Sequence, residues 1–290
     1  MFAGSSVAIV TPFSNGKFDE KSMADLIEFQ IANGTHGIVP CGTTGESATL
    51  SPPEHERVVA ATVEIVNKRV PVIAGTGSNS TDEAISFTKH AKTAGADGAL
   101  LITPYYNKPP QEGLFRHFEA VAKAVDLPLI LYNIPGRTSI NMLPATVARL
   151  SHLETIVGIK EGSGSLQQVS DILHAAKPGF LVLSGDDPLT LPMMALGGKG
   201  VITVTANVAP GDMATMVNAA LKGDYDLART IHYKLTPLFG ALFLETNPIP
   251  VKAALAMMGK ISEEVRLPLT PLASQFRPKV KEALQAAHVL

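Results

Sequence analysis

Eight apolar, β-branched runs that alternate with amphipathic stretches are the feature that most restricts what this chain can fold into. The runs fall at 5–12, 36–42, 70–76, 98–105, 127–134, 155–160, 180–185 and 200–206. The stretches that follow them, near 20–33, 53–68, 81–94, 111–125, 144–151, 165–176, 188–197 and 211–222, space their apolar residues as one face of a helix. Several open on cap-type residues, among them Asp19, Ser51 and Thr81. Strand followed by helix, repeated, gives a parallel sheet, and eight such units fit a closed (β/α)8 TIM barrel better than an open doubly wound sheet. The units share no internal signature, which argues against a solenoid. From residue 225 the alternation stops. Helical stretches at 225–240, 248–258 and 273–287 follow, punctuated by Pro248, Pro250, Pro268 and Pro271. The expected organisation is a catalytic barrel over 1–224 and a C-terminal helical extension over 225–290.

A chain of 290 residues with 46% hydrophobic content can bury the large core that a barrel needs. Its net charge of −2 gives no electrostatic reason to expect nucleic acid or an anionic membrane as a partner, so a small molecule is the expected ligand. Residues 1–13 lack a basic leader and a cleavage site, and no apolar run reaches the length of a membrane span. A cytoplasmic location is expected. The single cysteine, Cys41, excludes an internal disulfide and reads as a small packed side chain rather than a reactive thiol.

In a barrel of this kind the chemistry sits at the C-terminal ends of the strands. The second run is followed by Gly42-Thr-Thr-Gly-Glu-Ser47, the fourth ends in Tyr105-Tyr106, and the fifth continues into Tyr132-Asn-Ile-Pro-Gly-Arg137. The sixth closes in Lys160-Glu161-Gly162, the seventh in Ser184-Gly-Asp-Asp187, and the eighth carries Ile202. Lys160 is the sharpest of these, because an amine at the end of a buried strand is either snorkelling to solvent or held at the rim of a cavity. In a cavity it is a candidate imine-forming nucleophile, since burial disfavours the ammonium and leaves the amine free to attack a carbonyl. Lys252 is the only rival and lies outside the barrel units. Tyr132, on the preceding strand, is placed to neighbour Lys160 and shuttle protons, unless it is an ordinary packing tyrosine. Tyr105 and Tyr106 cannot both point inward, so one is left for an interface.

The Thr43-Thr44 pair between glycines offers hydroxyls and amides suited to a carboxylate, or forms an ordinary turn. Asp186-Asp187-Pro188 reads as a helix cap with proline in the first turn rather than as a metal site. No phosphate loop, no HExxH pair and no His-x-His is present, so metal hydrolysis and phosphorylated substrates have little support.

These motifs together resemble the pyruvate-dependent class I aldolases, the superfamily of dihydrodipicolinate synthase and N-acetylneuraminate lyase. The resemblance runs the length of the chain, through Gly42-Thr-Thr-Gly-Glu46, Tyr132-Asn-Ile-Pro135, Gly158-Ile-Lys160, Ser184-Gly-Asp186 and Asn247-Pro-Ile-Pro250. Thr103-Pro-Tyr-Tyr106 and Gly136-Arg137-Thr138 place it in the synthase branch. The resemblance implies a lyase in which Lys160 forms an imine with pyruvate, Tyr132 moves the protons, and Thr43 and Tyr106 complete a relay to solvent. It implies that Tyr106 reaches into a neighbouring subunit's site, that Thr44, Gly185 and Ile202 contact pyruvate, and that Arg137 holds the carboxylate of aspartate 4-semialdehyde. It further implies condensation to 4-hydroxy-tetrahydrodipicolinate in diaminopimelate and lysine biosynthesis, no metal or organic cofactor, and a homotetramer built as a dimer of dimers. Ala48, His55, Asn79, Glu83 and Tyr105 match the positions where regulated members bind lysine. Pro52 stands where those members often carry a histidine, so weak or absent inhibition by lysine is expected. The rival readings are a sister aldolase acting on a sugar acid or hydroxy-oxo acid, which Arg137 argues against, and a catalytically inactive barrel kept as a binding protein.

Overall fold

The computed structural model describes residues 1–290. Eight parallel strands form one sheet, in the spatial order β4-β1-β10-β9-β8-β7-β6-β5. They are β1 (Gly4–Ala8), β4 (Gly37–Val39), β5 (Ile73–Gly75), β6 (Gly98–Ile102), β7 (Leu129–Asn133), β8 (Ile156–Glu161), β9 (Leu181–Ser184) and β10 (Gly200–Thr203). A bridge between Ile38 and Val72 joins the two outermost strands. The Ile38 amide donates to the Pro71 carbonyl and the Gly75 amide to the Pro40 carbonyl, both at 2.9 Å, so the sheet closes on itself as the alternation predicted. At that seam Gly75 runs so close to the Cys41 carbonyl that a Cβ would stand 2.2 Å from the oxygen. Only glycine lets the two chains meet there.

The other two strands, β2 (Phe13–Ser14) and β3 (Lys17–Phe18), make a small antiparallel hairpin that the sequence reading did not anticipate. Its turn, Asn15-Gly16, has positive φ at both residues, as a two-residue hairpin loop requires.

Around the barrel run α1 (Glu20–Ala32), α2 (Pro52–Val66), α3 (Thr81–Ala94), α4 (Gln111–Ala124), α6 (Pro144–Ser151), α7 (Leu166–Ala175), α8 (Thr190–Ala195) and α9 (Pro210–Leu221), with α5 a single turn at Pro135–Thr138. Asp19 caps α1 as expected, its carboxylate accepting from the Ser22 amide at 3.1 Å. Ser51 occupies the N-cap of α2 without a side-chain bond, and α3 is capped by Ser80, one residue before Thr81. The chain ends in α10 (Tyr225–Ala241), α11 (Ile249–Met257) and α12 (Arg277–Ala286), with α10 packed on α9 and α12. No helix is long and apolar enough to cross a membrane.

The apolar residues divide into two groups. Leu129, Leu131, Ile156 and Ile159 belong to the large layer between strands and helices. Ala8, Val39, Ile73, Leu100, Ile130, Tyr132, Leu183 and Ile202 fill the barrel interior. Since strand side chains alternate, Ile156 and Ile159 share the outer layer only because β8 carries one residue more than β7. Leu129 pairs with Ile156 and Ile130 with Gly158, which leaves Val157 as the extra residue. The extra residue reverses the parity of everything after it, and Lys160 faces the interior as a result.

Candidate active site

Tyr132 and Lys160 are direct register partners on β7 and β8. The Lys160 amine lies 4.3 Å from the centre of the Tyr132 ring, and its residue is only 6% exposed, so the lysine does not snorkel to solvent. Burial pulls the Lys160 ammonium down to about 8; the Asp187 carboxylate opposes the shift and the Arg137 charge adds to it. The lowered value leaves far more of the free amine at neutral pH than a solvated lysine carries. Burial also pushes the Tyr132 hydroxyl up to about 12, which keeps it protonated and able to donate at neutral pH.

Asp187 is not the cap that its sequence suggested. Asp186 takes the N-cap position of a short 3-10 turn. One buried oxygen of Asp187 accepts from the Val204 amide at 3.2 Å, the Thr205 amide at 2.7 Å and the Thr205 hydroxyl at 2.6 Å. It thereby fixes the loop after β10. Burial raises its carboxyl above the usual range, while the Thr205 bonds pull the other way.

A cavity of about 520 Å3 opens at this end of the barrel. Thr43, Tyr132 and Arg137 wall it, and so do Ala48, His55, Glu83 and Tyr105. Lys160, Thr44 and Ile202 are buried and, like Gly185, are not among the residues that line it; Lys160 adjoins it through Tyr132, and Asn79 donates to the carbonyl of the lining residue Tyr105 at 3.2 Å. Gly185 is held against β8, its amide donating to the Glu161 carbonyl at 2.7 Å. Tyr106 is not brought to this chain's site: its backbone is left-handed at φ 72° and its residue is 91% exposed.

His55 is buried, stacked on Phe87 at 4.2 Å, and donates from Nε2 to the Gly75 carbonyl at 2.8 Å. Burial holds its imidazole below the usual range, which keeps the ring neutral. Pro52 also lines the cavity, where an imidazole would have been a polar contact. Cys41 is buried, and desolvation raises its thiol well above the ordinary value, in keeping with a packing role.

Arg137 lies on the single turn α5 that follows β7, and donates from Nη2 to the Asn247 carbonyl at 3.1 Å. Asn247 also donates from its side chain to the Thr44 hydroxyl at 2.9 Å. Asn247 therefore joins the guanidinium to the threonine pair, a link no local signal foretold, because the two segments are remote in sequence.

A (β/α)8 barrel with a buried lysine amine in register with a tyrosine, at the C-terminal ends of neighbouring strands, is the framework of a Schiff-base-forming lyase. The comparisons narrow that class: a model of the dihydrodipicolinate synthetase family matches residues 1–287, and the chain belongs to this family. It is 63% identical, over 99% of each chain, to a 4-hydroxy-tetrahydrodipicolinate synthase of Syntrophobacter fumaroxidans. Its fold matches dihydrodipicolinate synthase from Aquifex aeolicus with a TM-score of 0.98 at 50% identity over 99% of each chain. It also matches a chloride-inhibited dihydrodipicolinate synthase from Acinetobacter baumannii, solved with pyruvate, with a TM-score of 0.98 at 49% identity over 100% of each chain.

Proposed function

We propose that this chain condenses pyruvate with L-aspartate 4-semialdehyde to give 4-hydroxy-tetrahydrodipicolinate, in the cytoplasmic route to diaminopimelate and lysine. The observation that carries the reading is the buried Lys160 amine paired with Tyr132 beneath a cavity whose wall presents Arg137. The neutral amine attacks the pyruvate C2 carbonyl, and loss of water gives an imine whose nitrogen draws electrons from C3. Loss of a C3 proton yields the enamine, and C3 then attacks the aldehyde carbon to form the new carbon–carbon bond and a hydroxyl. The amino group of the semialdehyde adds to the imine carbon, closes the ring and expels Lys160. Tyr132 hands over the protons at each stage, with Thr43 on the same cavity wall as the next member of the relay.

Tyr106 completes that relay from a second copy of this chain, a role its exposed ring at a left-handed backbone position suits. The assembly proposed is a homotetramer, a dimer of dimers. Thr44, Gly185 and Ile202 are the residues assigned to contact with pyruvate. Ala48, His55, Asn79, Glu83 and Tyr105 form the candidate lysine effector cleft, with Pro52 weakening it. The decisive assay follows pyruvate consumption with the semialdehyde beside N-acetylmannosamine and simple aldehydes as acceptors. Strong preference for the semialdehyde supports the synthase; turnover with another acceptor alone moves the enzyme to a sister branch.

Three outcomes follow from the site. Arg137→Ala removes a charge-assisted contact worth roughly 1.5–3 kcal/mol, so kcat/KM for the aldehyde falls about 10- to 150-fold while pyruvate imine formation survives. Unchanged acceptor kinetics would refute the role of Arg137. The pH profile follows from the direction of the Lys160 shift. Only the unprotonated amine attacks, so the rate of imine formation rises about tenfold per pH unit below 8 and levels off above it. Asp187→Asn removes the charge that supports the ammonium, and the inflection moves to lower pH. Stopped-flow trapping of pyruvate checks both.

A further inference from the structure

The outward-facing neighbours of the catalytic pair are themselves a pair. Asn133 follows Tyr132, Glu161 follows Lys160, and the two are register partners. Glu161 is 2% exposed and belongs to none of the ion pairs in the structure. Its carboxylate is surrounded by donors instead. One oxygen accepts from the Ser163 amide at 2.6 Å and from Asn133 Nδ2 at 3.3 Å. The other accepts from Asn133 Nδ2 at 3.0 Å and from Gln168 Nε2 at 3.2 Å.

The network continues into the segment that carries Arg137. Asn133 Nδ2 donates to Asn141 Oδ1 at 2.8 Å, and the Met142 amide donates to Asn133 Oδ1 at 3.0 Å. Asn141 and Gln168 exchange two further bonds, at 2.8 and 3.0 Å. Residues 133 and 142, which bracket Arg137, are thus pinned together behind the barrel wall, and the pin is anchored on β8 next to Lys160. A buried carboxylate costs desolvation free energy, and apolar side chains would fill this position at less cost if only packing were needed.

We propose that Glu161 is a positioning residue: through Asn133, Asn141 and Gln168 it fixes the alignment of Lys160 beside Tyr132 and the reach of Arg137 toward the acceptor carboxylate. It touches neither substrate. The inference rests on the reading of Lys160 and Arg137 given above. An acceptor-only side chain is required, because Ser163, Asn133 and Gln168 all present donors to it.

Glu161→Gln tests this, since the isosteric amide sets a donor against donors. The expected result is a kcat lowered on the order of 10- to 100-fold per active site, as small misplacements of reacting groups produce, with the aldehyde KM raised several-fold. Active sites are counted by borohydride trapping with pyruvate. Glu161→Gln with Gln168→Glu returns the single carboxylate to the cluster from the other side and recovers most of the activity. If Glu161→Gln is recovered only as aggregates, Gln168→Met removes one donor and shows the same split to a smaller degree. A merely structural role lowers the number of trapped sites and leaves the rate per site and the aldehyde KM unchanged, and that result overturns the proposal. So does a folded double variant no more active than the single one. Wild-type protein that forms no pyruvate imine at Lys160 would instead overturn the functional reading, which the same trapping experiment registers separately.

Discussion

Replacing Lys160 with arginine is expected to abolish condensation, with kcat falling by about 10^4-fold or more, as removal of a covalent nucleophile does in other enzymes. The guanidinium keeps a positive charge but never becomes the neutral amine that imine formation needs, because it stays protonated at all accessible pH. Binding of pyruvate to the rest of the pocket survives in part, so the loss falls on kcat far more than on KM. Borohydride reduction in the presence of pyruvate provides the control, with the adduct on the peptide containing Lys160 in the wild type and no adduct in the variant. A label found instead on Lys252 would sink the assignment. Lys252 is the other deeply buried lysine, but its amine is bonded to Glu46 and to the Glu264 carbonyl, both at 2.6 Å, and has no free face for a carbonyl to approach.

The contrast between these two lysines marks the limit of what the sequence discloses. The eight strand-helix units are legible because their periodicity is local, and the C-terminal positions of Thr43, Tyr132 and Lys160 follow once the barrel is accepted. The direction in which Lys160 points is not legible. It depends on Val157 being an extra residue in β8 relative to β7, and a bulge leaves no mark in a continuous apolar run such as Ile156-Val-Gly-Ile159. Asp187 misled for a related reason: Asp before Pro is a good local cap, but the carboxylate finds three donors on the loop after β10 instead. Asn247 went unassigned because its partners Arg137 and Thr44 lie far away in sequence, and Glu161 because Asn133, the partner that ties it to the segment of Arg137, sits on the preceding strand. The candidate residues at the strand ends were visible from residue type and place, whereas the contacts that orient them were not.

Truncation of Lys252 is expected to have the largest effect on stability of any single change near the site. Lys252 is fully buried, as is Glu46, and Lys252→Ala strands the Glu46 carboxylate without its counter-charge. Loss of one partner of a buried pair costs about 3–5 kcal/mol. Burial already pulls the Lys252 ammonium downward while Glu46 holds it up, so the pair persists only as a pair. Glu46 matters beyond this, because it sits at a left-handed φ of 54° in the loop that bears Thr43 and Thr44. Its second oxygen accepts from the Arg266 amide at 3.0 Å, and Arg266 in turn clasps Glu54 and the Thr49 carbonyl. The residues around α11 thus hold the threonine loop in a backbone conformation that costs roughly 1–2 kcal/mol in a residue other than glycine. Lys252→Ala should therefore lower the denaturant midpoint and also raise the pyruvate KM, because the loop relaxes. Glu46→Leu with Lys252→Met removes both charges and should regain most of the stability, since apolar replacement of a whole buried pair is often neutral. It should not regain the pyruvate KM, since no carboxylate remains to hold the loop to Arg266. A single variant within about 1 kcal/mol of wild type would show that the pair is dispensable, and a double variant with normal pyruvate KM would show that the loop holds itself.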